Sequence, residues 1–272
     1  MTGNVPESPG GSKTSRFDTS VAHQARIYDY WLGGKDNFAA DRAAGDKALA
    51  EYPHLAKAVR ANRAFLVRAV RFLAGEAGIR QFLDIGTGIP TANNTHEVAQ
   101  RVAPGSRIVY VDNDPVVLLH AQALLTSNRE GACAYVDADF REPGKVLAGA
   151  SKLLDFGQPV ALMLLGILQL IPDEDEPYEA LATLLNELVP GSYLAITHPA
   201  SDIDPRSLKA AAVLDSMSAE KRALRNHAEV ARFFGDLEMV PPGLVQVSKW
   251  RPESEVQASA PASRWAGVAR KP

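Results

Sequence analysis

From Gln81 onward, short apolar runs alternate with helical stretches, and few folds accommodate that order. QFLDIG, RIVYVDND, CAYVDAD, PVALMLL and SYLAITH read as strands. TANNTHEVAQRVA, PVVLLHAQALLTS, GKVLAGASKLL and PYEALATLLNELV read as helices between them. The repeat of roughly 25 residues implies βαβ units and a mostly parallel sheet covered by helices on both faces. The most apolar stretch, VALMLLGILQLI at 160–171, is far short of the ~20 residues needed to span a bilayer. It suits a strand buried on both faces together with the segment after it. After SYLAITH the alternation stops. A longer helical region is expected over 204–234, followed by two strand candidates, LVQVSKW and RWAGVAR. Joined by the polar loop RPESEVQASAPAS, these would pair as an antiparallel hairpin at the end of the sheet.

Upstream, residues 20–78 read as helical. In HLAKAVRANRAFLVRAVRFLAGEAG the apolar residues Leu55, Val59, Leu66, Val70 and Leu73 follow helical spacing. Arg60, Arg68 and Arg71 lie off that stripe and are expected to face solvent. The helix should end near Gly75 and Gly78. The first sixteen residues are rich in Gly, Ser and Pro and lack the apolar stretch of a signal peptide, so they read as a disordered tail. The chain thus divides into a tail (1–16), a helical N-terminal extension (17–80) and an α/β core (81–272). Within the extension, YDYWLGGKDNF (28–38) supports two readings. One is a packed corner, with Tyr30 and Trp31 buried and Gly33–Gly34 turning between helices. The other is a lid in which Tyr28, Lys35 or Asn37 reaches into a pocket.

A net charge of −3 and a pI near 6.1 give no footprint for DNA or RNA. A single cysteine, Cys133, excludes an intramolecular disulfide and a cysteine-built metal site, and fits a cytoplasmic protein. The histidines and acids do not fall at metal-ligand spacing on one element, so no metal is expected.

In open α/β sheets ligands bind beyond the carboxyl ends of the strands. The first strand ends FLDIGTGIP, where Gly86 and Gly88 allow a tight turn and close approach of a ligand. Asp84 would repel a pyrophosphate here, and position 91 is Thr rather than the third glycine of a dinucleotide fingerprint. That argues against NAD and for a cationic ligand such as S-adenosylmethionine. The second strand ends VYVDNDP, placing Asp112 where a carboxylate can accept two ribose hydroxyls. Asp114 is expected to cap the next helix. The third strand ends YVDADFREP, where Asp139, with Asp137 as competitor, can take an adenine amino group and Phe140 can pack on the ring.

DIGTG, VDNDP and DAD together resemble the class I S-adenosylmethionine-dependent methyltransferases. YDYWLGGKDNFAADR, ANRAFLVRAVRFLA, QFLDIGTGIPT, VYVDNDPVVL, LIPDEDEP and GLVQVSKWRP resemble, more closely, one actinobacterial methyltransferase family long catalogued as a domain of unknown function. The resemblance runs from Thr19 to Lys271. It implies a seven-stranded, mostly parallel Rossmann-like sheet, bound S-adenosylmethionine and an N-terminal helical cover, but no particular substrate. The resemblance carries Asp84, Gly86, Gly88, Asp112, Asp139 and Phe140 onto the cofactor site; Thr87 and Asn113 complete the expected set, and the lid reading adds Tyr28, Asn37 and Arg63, with Arg26 and Arg63 as candidates for the cofactor carboxylate. The chain departs from many small-molecule methyltransferases in having GILQLIPD, with Gln169, where they carry a histidine pair. The Asn/Asp-Pro-Pro-aromatic motif of nucleic-acid amino methyltransferases is also absent. A general base, if used, would be sought at His198 or Asp173. The expectation is methyl transfer to a small-molecule acceptor, with no nucleic-acid or membrane partner. The alternative is a non-catalytic S-adenosylmethionine-binding sensor or partner protein.

Overall fold

The structure, a computed structural model, describes residues 18–124 and 129–272; the expected N-terminal tail lies outside the described residues. Five parallel strands form the centre: β1 (Gln81–Ile85), β2 (Arg107–Asp112), β3 (Ala132–Asp137), β4 (Ala161–Leu165) and β5 (Tyr193–Pro199). β8 (Arg264–Arg270) runs antiparallel beside β5. The order is β3-β2-β1-β4-β5-β8-β6, with β7 also on β8. The expected terminal hairpin is present but broken. The outermost strand is split into β6 (Glu238–Met239) and β7 (Val245–Gln246), so the seven-strand outline contains eight segments. Pro241 and Pro242 lie in the break, and proline cannot donate to a ladder.

Alternation along the strands builds a core on each face. Leu83, Ile85, Val109, Leu162 and Ile196 pack with Val146 of α6 (Pro143–Ala150) and Leu181 and Leu184 of α7 (Pro177–Asn186). Phe82, Ile108, Met163 and Ala195 pack with Phe65, Leu66 and Val70 of α3 (Leu55–Arg71) and Val98 of α4 (Thr95–Val102). A third cluster joins Ile27 and Trp31 of α1 (Gln24–Leu32), Ala44 and Ala48 of α2 (Ala39–Glu51), and Ala210 and Leu214 of α8 (Arg206–Met217). The N-terminal extension is therefore packed into the molecule, not draped over it. α5 (Pro115–Leu124) follows β2.

Two expectations are corrected. Residues 204–234 do not form one helical region: α8 stops at Met217 and α9 (His227–Ala231) starts afresh. Asn226 caps α9, its side chain accepting from Glu229 N at 2.9 Å while the Glu229 carboxylate takes Asn226 N at 2.7 Å. The intervening stretch is pinned by Arg222 and Arg225, whose side chains are almost fully enclosed. Arg68 does not face solvent. It is buried, and it donates to the carbonyls of Trp250 and Val247 at 2.8 Å each.

Candidate functional site

The sheet order reverses between β1 and β4, since β1 has β2 on one side and β4 on the other. A crevice opens beyond the strand ends at such a point, and two adjoining cavities occupy it. The smaller, about 40 Å³, is lined by Asn62, Arg63, Asp84, Thr87, Gly88 and Tyr110 among others. The larger, about 350 Å³, is lined by Asp112, Asn113, Asp139, Phe140, Ile167 and Glu220 among others. Gly86 borders both. Gly86 and Gly88 have φ of +73° and +65°, and a Cβ on Gly86 would stand 2.7 Å from Ile167 Cβ, so the turn is built for glycine. The amide of Gly88 donates to Asp112 Oδ2 at 2.8 Å, tying the glycine turn to the end of β2.

Asp84 and Asp112 are both buried. Asp84 lies on the face of β1 that meets α3 and α4, and Thr95 Oγ1 donates to its Oδ2 at 2.6 Å. Burial pushes the Asp84 carboxyl up to about 6, against the opposing pulls of Thr95 and Arg63. Burial raises Asp112 to about 6 as well, although the amides of Asp114 and Gly88 favour its ionised form. Tyr110 and Tyr135 stack at 6.1 Å beneath the turn, and the Tyr135 hydroxyl lies 2.8 Å from Thr87 Oγ1. Neither tyrosine was singled out in the sequence. The signal was available: Tyr110 precedes Asp112 by two positions and so shares its face.

At the third strand, Asp139 lines the larger cavity but is already engaged. It accepts from Asn113 Nδ2 at 2.7 Å and from Arg141, whose other arm reaches Asp175 Oδ2 at 3.0 Å. Burial works against its ionisation, but Arg141 outweighs it and the carboxyl is held below the usual range. Phe140 lines the same cavity with its side chain in the core.

The two base candidates meet on one residue, Arg225. Its guanidinium donates to the carbonyls of Leu168 and Ile171 at 2.9 Å each, pairs with Asp173 at 2.5 Å and lies 3.1 Å from His198 Nε2. His198 Nδ1 lies 2.8 Å from Pro199 O. Burial drives the His198 pKa down to about 3, reinforced by Arg225 and Arg264. A neutral ring that donates from Nδ1 and accepts at Nε2 has no lone pair left for a substrate proton. His198 and Asp173 are parts of a clamp joining β5 to the segments before α7 and α9.

The cover meets the site differently from the expected lid. Asn37 is buried in its own corner: Nδ2 donates to Asp29 Oδ2 at 2.8 Å and to Gly34 O at 3.0 Å, and Oδ1 accepts from Arg42. A Cβ on Gly34 would overlap the Asp29 carboxylate. Trp31 Nε1 donates to Gly45 O at 3.3 Å. Lys35 is exposed. Arg26 is used up by Val21 O at 2.7 Å and by Asp41. Asn37, Lys35 and Arg26 therefore do not reach the cavities, and the packed-corner reading describes 28–38 except at Tyr30, which is half-buried and donates its hydroxyl to Asp46 Oδ1 at 2.6 Å. Arg63 does line the smaller cavity, donating to Ala92 O and Asn93 O at its rim. Tyr28 stands one residue back, its hydroxyl accepting from Asn62 Nδ2 at 2.9 Å.

The contact from the cover that reaches the turn after β2 comes from His23, which has no motif context in the sequence. Its Nδ1 lies 2.8 Å from Asp114 Oδ2 and its Nε2 2.9 Å from Glu220 Oε1. Burial opposes protonation, yet the two carboxylates raise its pKa to about 10. Asp114 also caps α5, accepting from Val116 N at 2.8 Å. A second bridge, His120 Nε2 to Asp36 Oδ1 at 3.1 Å, joins α5 to the corner.

Comparison with known proteins decides the affiliation. The family model for S-adenosyl methyltransferases matches residues 10–272. The chain belongs to the S-adenosyl methyltransferase family. A DUF574 family protein of Streptomyces avermitilis is 47% identical over 94% of this chain and 99% of its own, with a TM-score of 0.90. A candidate methyltransferase of Thermobifida fusca is 40% identical over 96% and 99% of the two chains, with a TM-score of 0.87. An S-adenosylmethionine-dependent methyltransferase of Anabaena variabilis, 16% identical with a TM-score of 0.50, covers 77% of this chain and 84% of its own and shares the fold. No curated protein matches.

This S-adenosylmethionine-dependent methyltransferase has the class I sheet, with helices preceding it. Its cavities suit its cofactor. Two buried carboxylates whose ionisation is opposed by burial favour a ligand bringing positive charge to one and hydroxyls to the other. Among the described residues of the methyltransferase, no helix is long and apolar enough to cross a membrane.

Proposed function

We propose that this methyltransferase is a cytoplasmic enzyme that acts on a small-molecule acceptor by in-line displacement. The observation that carries the reading is the setting of the acceptor side. Beyond the end of β4 lies a further cavity of about 60 Å³, walled by α1, α3 and α8 and lined by Trp31, Leu55 and Leu214. The chain's own N-terminal helices α1 and α3 form part of its wall, which favours a small acceptor over a polymer. A net charge of −3 adds no attraction for nucleic acid.

The proposed assignments rest on the two acids and their surroundings. Asp84 receives the ammonium of the cofactor, with Arg63 at the same cavity for its carboxylate. Asp112, held by Gly88 N, receives the ribose hydroxyls, and Asn113, Asp139 and Phe140 border the adenine. Bound there, S-adenosylmethionine would supply an activated methyl carbon, its sulfur keeping the electron pair of the broken bond as an acceptor lone pair forms the new one and the acceptor's proton leaves to solvent. The residues around it supply alignment. Holding two reactants in line can lower the barrier by about 7–11 kcal/mol, and His198 and Asp173, committed to Arg225, do not serve as the base. The test is turnover: purified enzyme with S-adenosylmethionine and fractionated small-molecule extracts should release S-adenosylhomocysteine with one newly methylated compound. Tight cofactor binding without turnover across the fractions would replace this reading with the sensor alternative.

A further inference from the structure

Among the described residues the buried arginines have partners, with one exception. Arg26 donates to Val21 O and pairs with Asp41. Arg68 donates to Trp250 O and Val247 O. Arg222 holds Asp215 and Gln24, and Arg225 holds two carbonyls and Asp173. Arg264 opens β8 opposite Pro199 and is 6% exposed, yet its Nε and Nη1 have no hydrogen-bond partner among the described residues. Two neutral acceptors nearby are also unused. Gln169 Oε1 and Asn62 Oδ1 lack partners, although their amide nitrogens are bonded to Gly166 O and the Tyr28 hydroxyl.

The place is specific. Gly166 follows β4 with φ of +91°, and a Cβ on it would stand 3.0 Å from Arg264 Nη1 and 3.8 Å from Asn62 Nδ2. The guanidinium thus abuts the end of the strand beside the glycine turn. Asn62 lines the cavity of Asp84; Arg264 and Gln169 line the cavity walled by Trp31, Leu55 and Leu214. A buried charge is retained where something pairs with it, and a planar fork of donors matches a carboxylate.

We propose that Arg264 anchors a carboxylate of the methyl acceptor, which makes the acceptor a small carboxylic acid with an apolar body. The inference rests on the methyltransferase reading above and names its substrate class. A carboxylate could come from the cofactor instead. The acceptor is favoured because Arg63 already stands at the Asp84 cavity, whereas Arg264 faces the apolar one.

The test uses full-length enzyme loaded with S-adenosylhomocysteine. Benzoate, phenylacetate and hexanoate are titrated by calorimetry and thermal shift against benzamide, phenylacetamide and hexanamide. At least one acid should bind and raise Tm while its amide does not. R264Q should weaken that acid by about 10–100-fold, the loss of one or two charge-assisted hydrogen bonds, and leave S-adenosylmethionine affinity within twofold. R264K, which keeps the charge but not the fork, should fall between, and circular dichroism of both variants confirms folding. The proposal is overturned if none of the acids binds, if acids and amides bind alike, or if R264Q binds the acid as wild type does. It is also overturned if R264Q loses cofactor affinity instead, which would assign the guanidinium to the cofactor carboxylate. Carboxylate binding is read without turnover, so a failure of methyl transfer is distinguishable from a failure of this anchor.

Discussion

Replacing Asp84 with Asn should make the ligand-free protein more stable and the cofactor complex weaker. The carboxyl rises from 3.8 to about 6 because it is buried. The folded state therefore binds the proton more tightly than the unfolded chain does. Stability falls as pH rises from 3.8 through about 6, and the full cost is present above that. A shift of about two units corresponds to about 3 kcal/mol at neutral pH. Asn removes the charge and keeps an oxygen for Thr95 Oγ1, which now donates at 2.6 Å. The new amide N–H needs an acceptor, which returns about 1 kcal/mol of that gain. Urea melts at pH 7.5 should show Asp84→Asn more stable by about 2 kcal/mol, and at pH 5 the difference should shrink. Calorimetry should show S-adenosylmethionine bound about 10–100-fold more weakly, from the lost charge-assisted contact. Wild-type affinity should decline below pH about 6, where Asp84 takes a proton, and the variant should lack that decline. Equal or lower stability at pH 7.5 together with unchanged affinity would refute the role of burial in holding this carboxylate ready for a cation.

Asp112→Ala should cost roughly 10–100-fold in S-adenosylmethionine affinity by calorimetry, since it removes the proposed ribose acceptor and the anchor of Gly88 N at once. His23→Ala should destabilise the protein by about 3 kcal/mol at pH 6, the scale of two charge-assisted contacts. Because the folded pKa is raised to about 10, that difference should be full below pH 6.5 and disappear as pH rises to about 10, read from melts across that range. Arg68→Ala should destabilise by about 2–4 kcal/mol in urea melts, because the carbonyls of Trp250 and Val247 lose their donor; cofactor affinity of the folded fraction should be unchanged.

The strand ends were legible in the sequence because their signals are local. FLDIG and VYVDNDP state a period, a turn and an acid within a few residues, and backbone direction does the rest. What was not legible depends on partners distant along the chain. His23 has no motif around it, and its meaning comes from Asp114 and Glu220. His198 looks like a base in AITHP until Arg225 is seen against its Nε2. A helical wheel places Arg68 outside the apolar stripe of α3, but a long side chain can lay its stem along that stripe and reach carbonyls beyond it. YDYWLGGKDNF held clues to both of its readings. Its aromatic and glycine residues pack the corner, and the connection to α5 comes through His23, just outside it, and Asp36, near its far end.

Two buried acids and one buried arginine that form no ion pair among the described residues stand in different places. Asp84 and Asp112 lie at the glycine turn; Arg264 lies across Gly166, where the structure holds no counter-charge among the described residues. On the proposed reading the two ligands complete this pattern, each neutralising what the fold leaves exposed to it. The same pattern fixes orientation. An acceptor entering with its carboxylate toward Asp84 would be repelled, and one held by the Arg264 fork presents its other end to the strand ends of β1 and β4. Alignment is the larger share of what methyl transfer from a sulfonium needs. On that reading the paired charges supply alignment, and the position after β4 where many small-molecule methyltransferases carry a histidine pair is Gln169 in this chain.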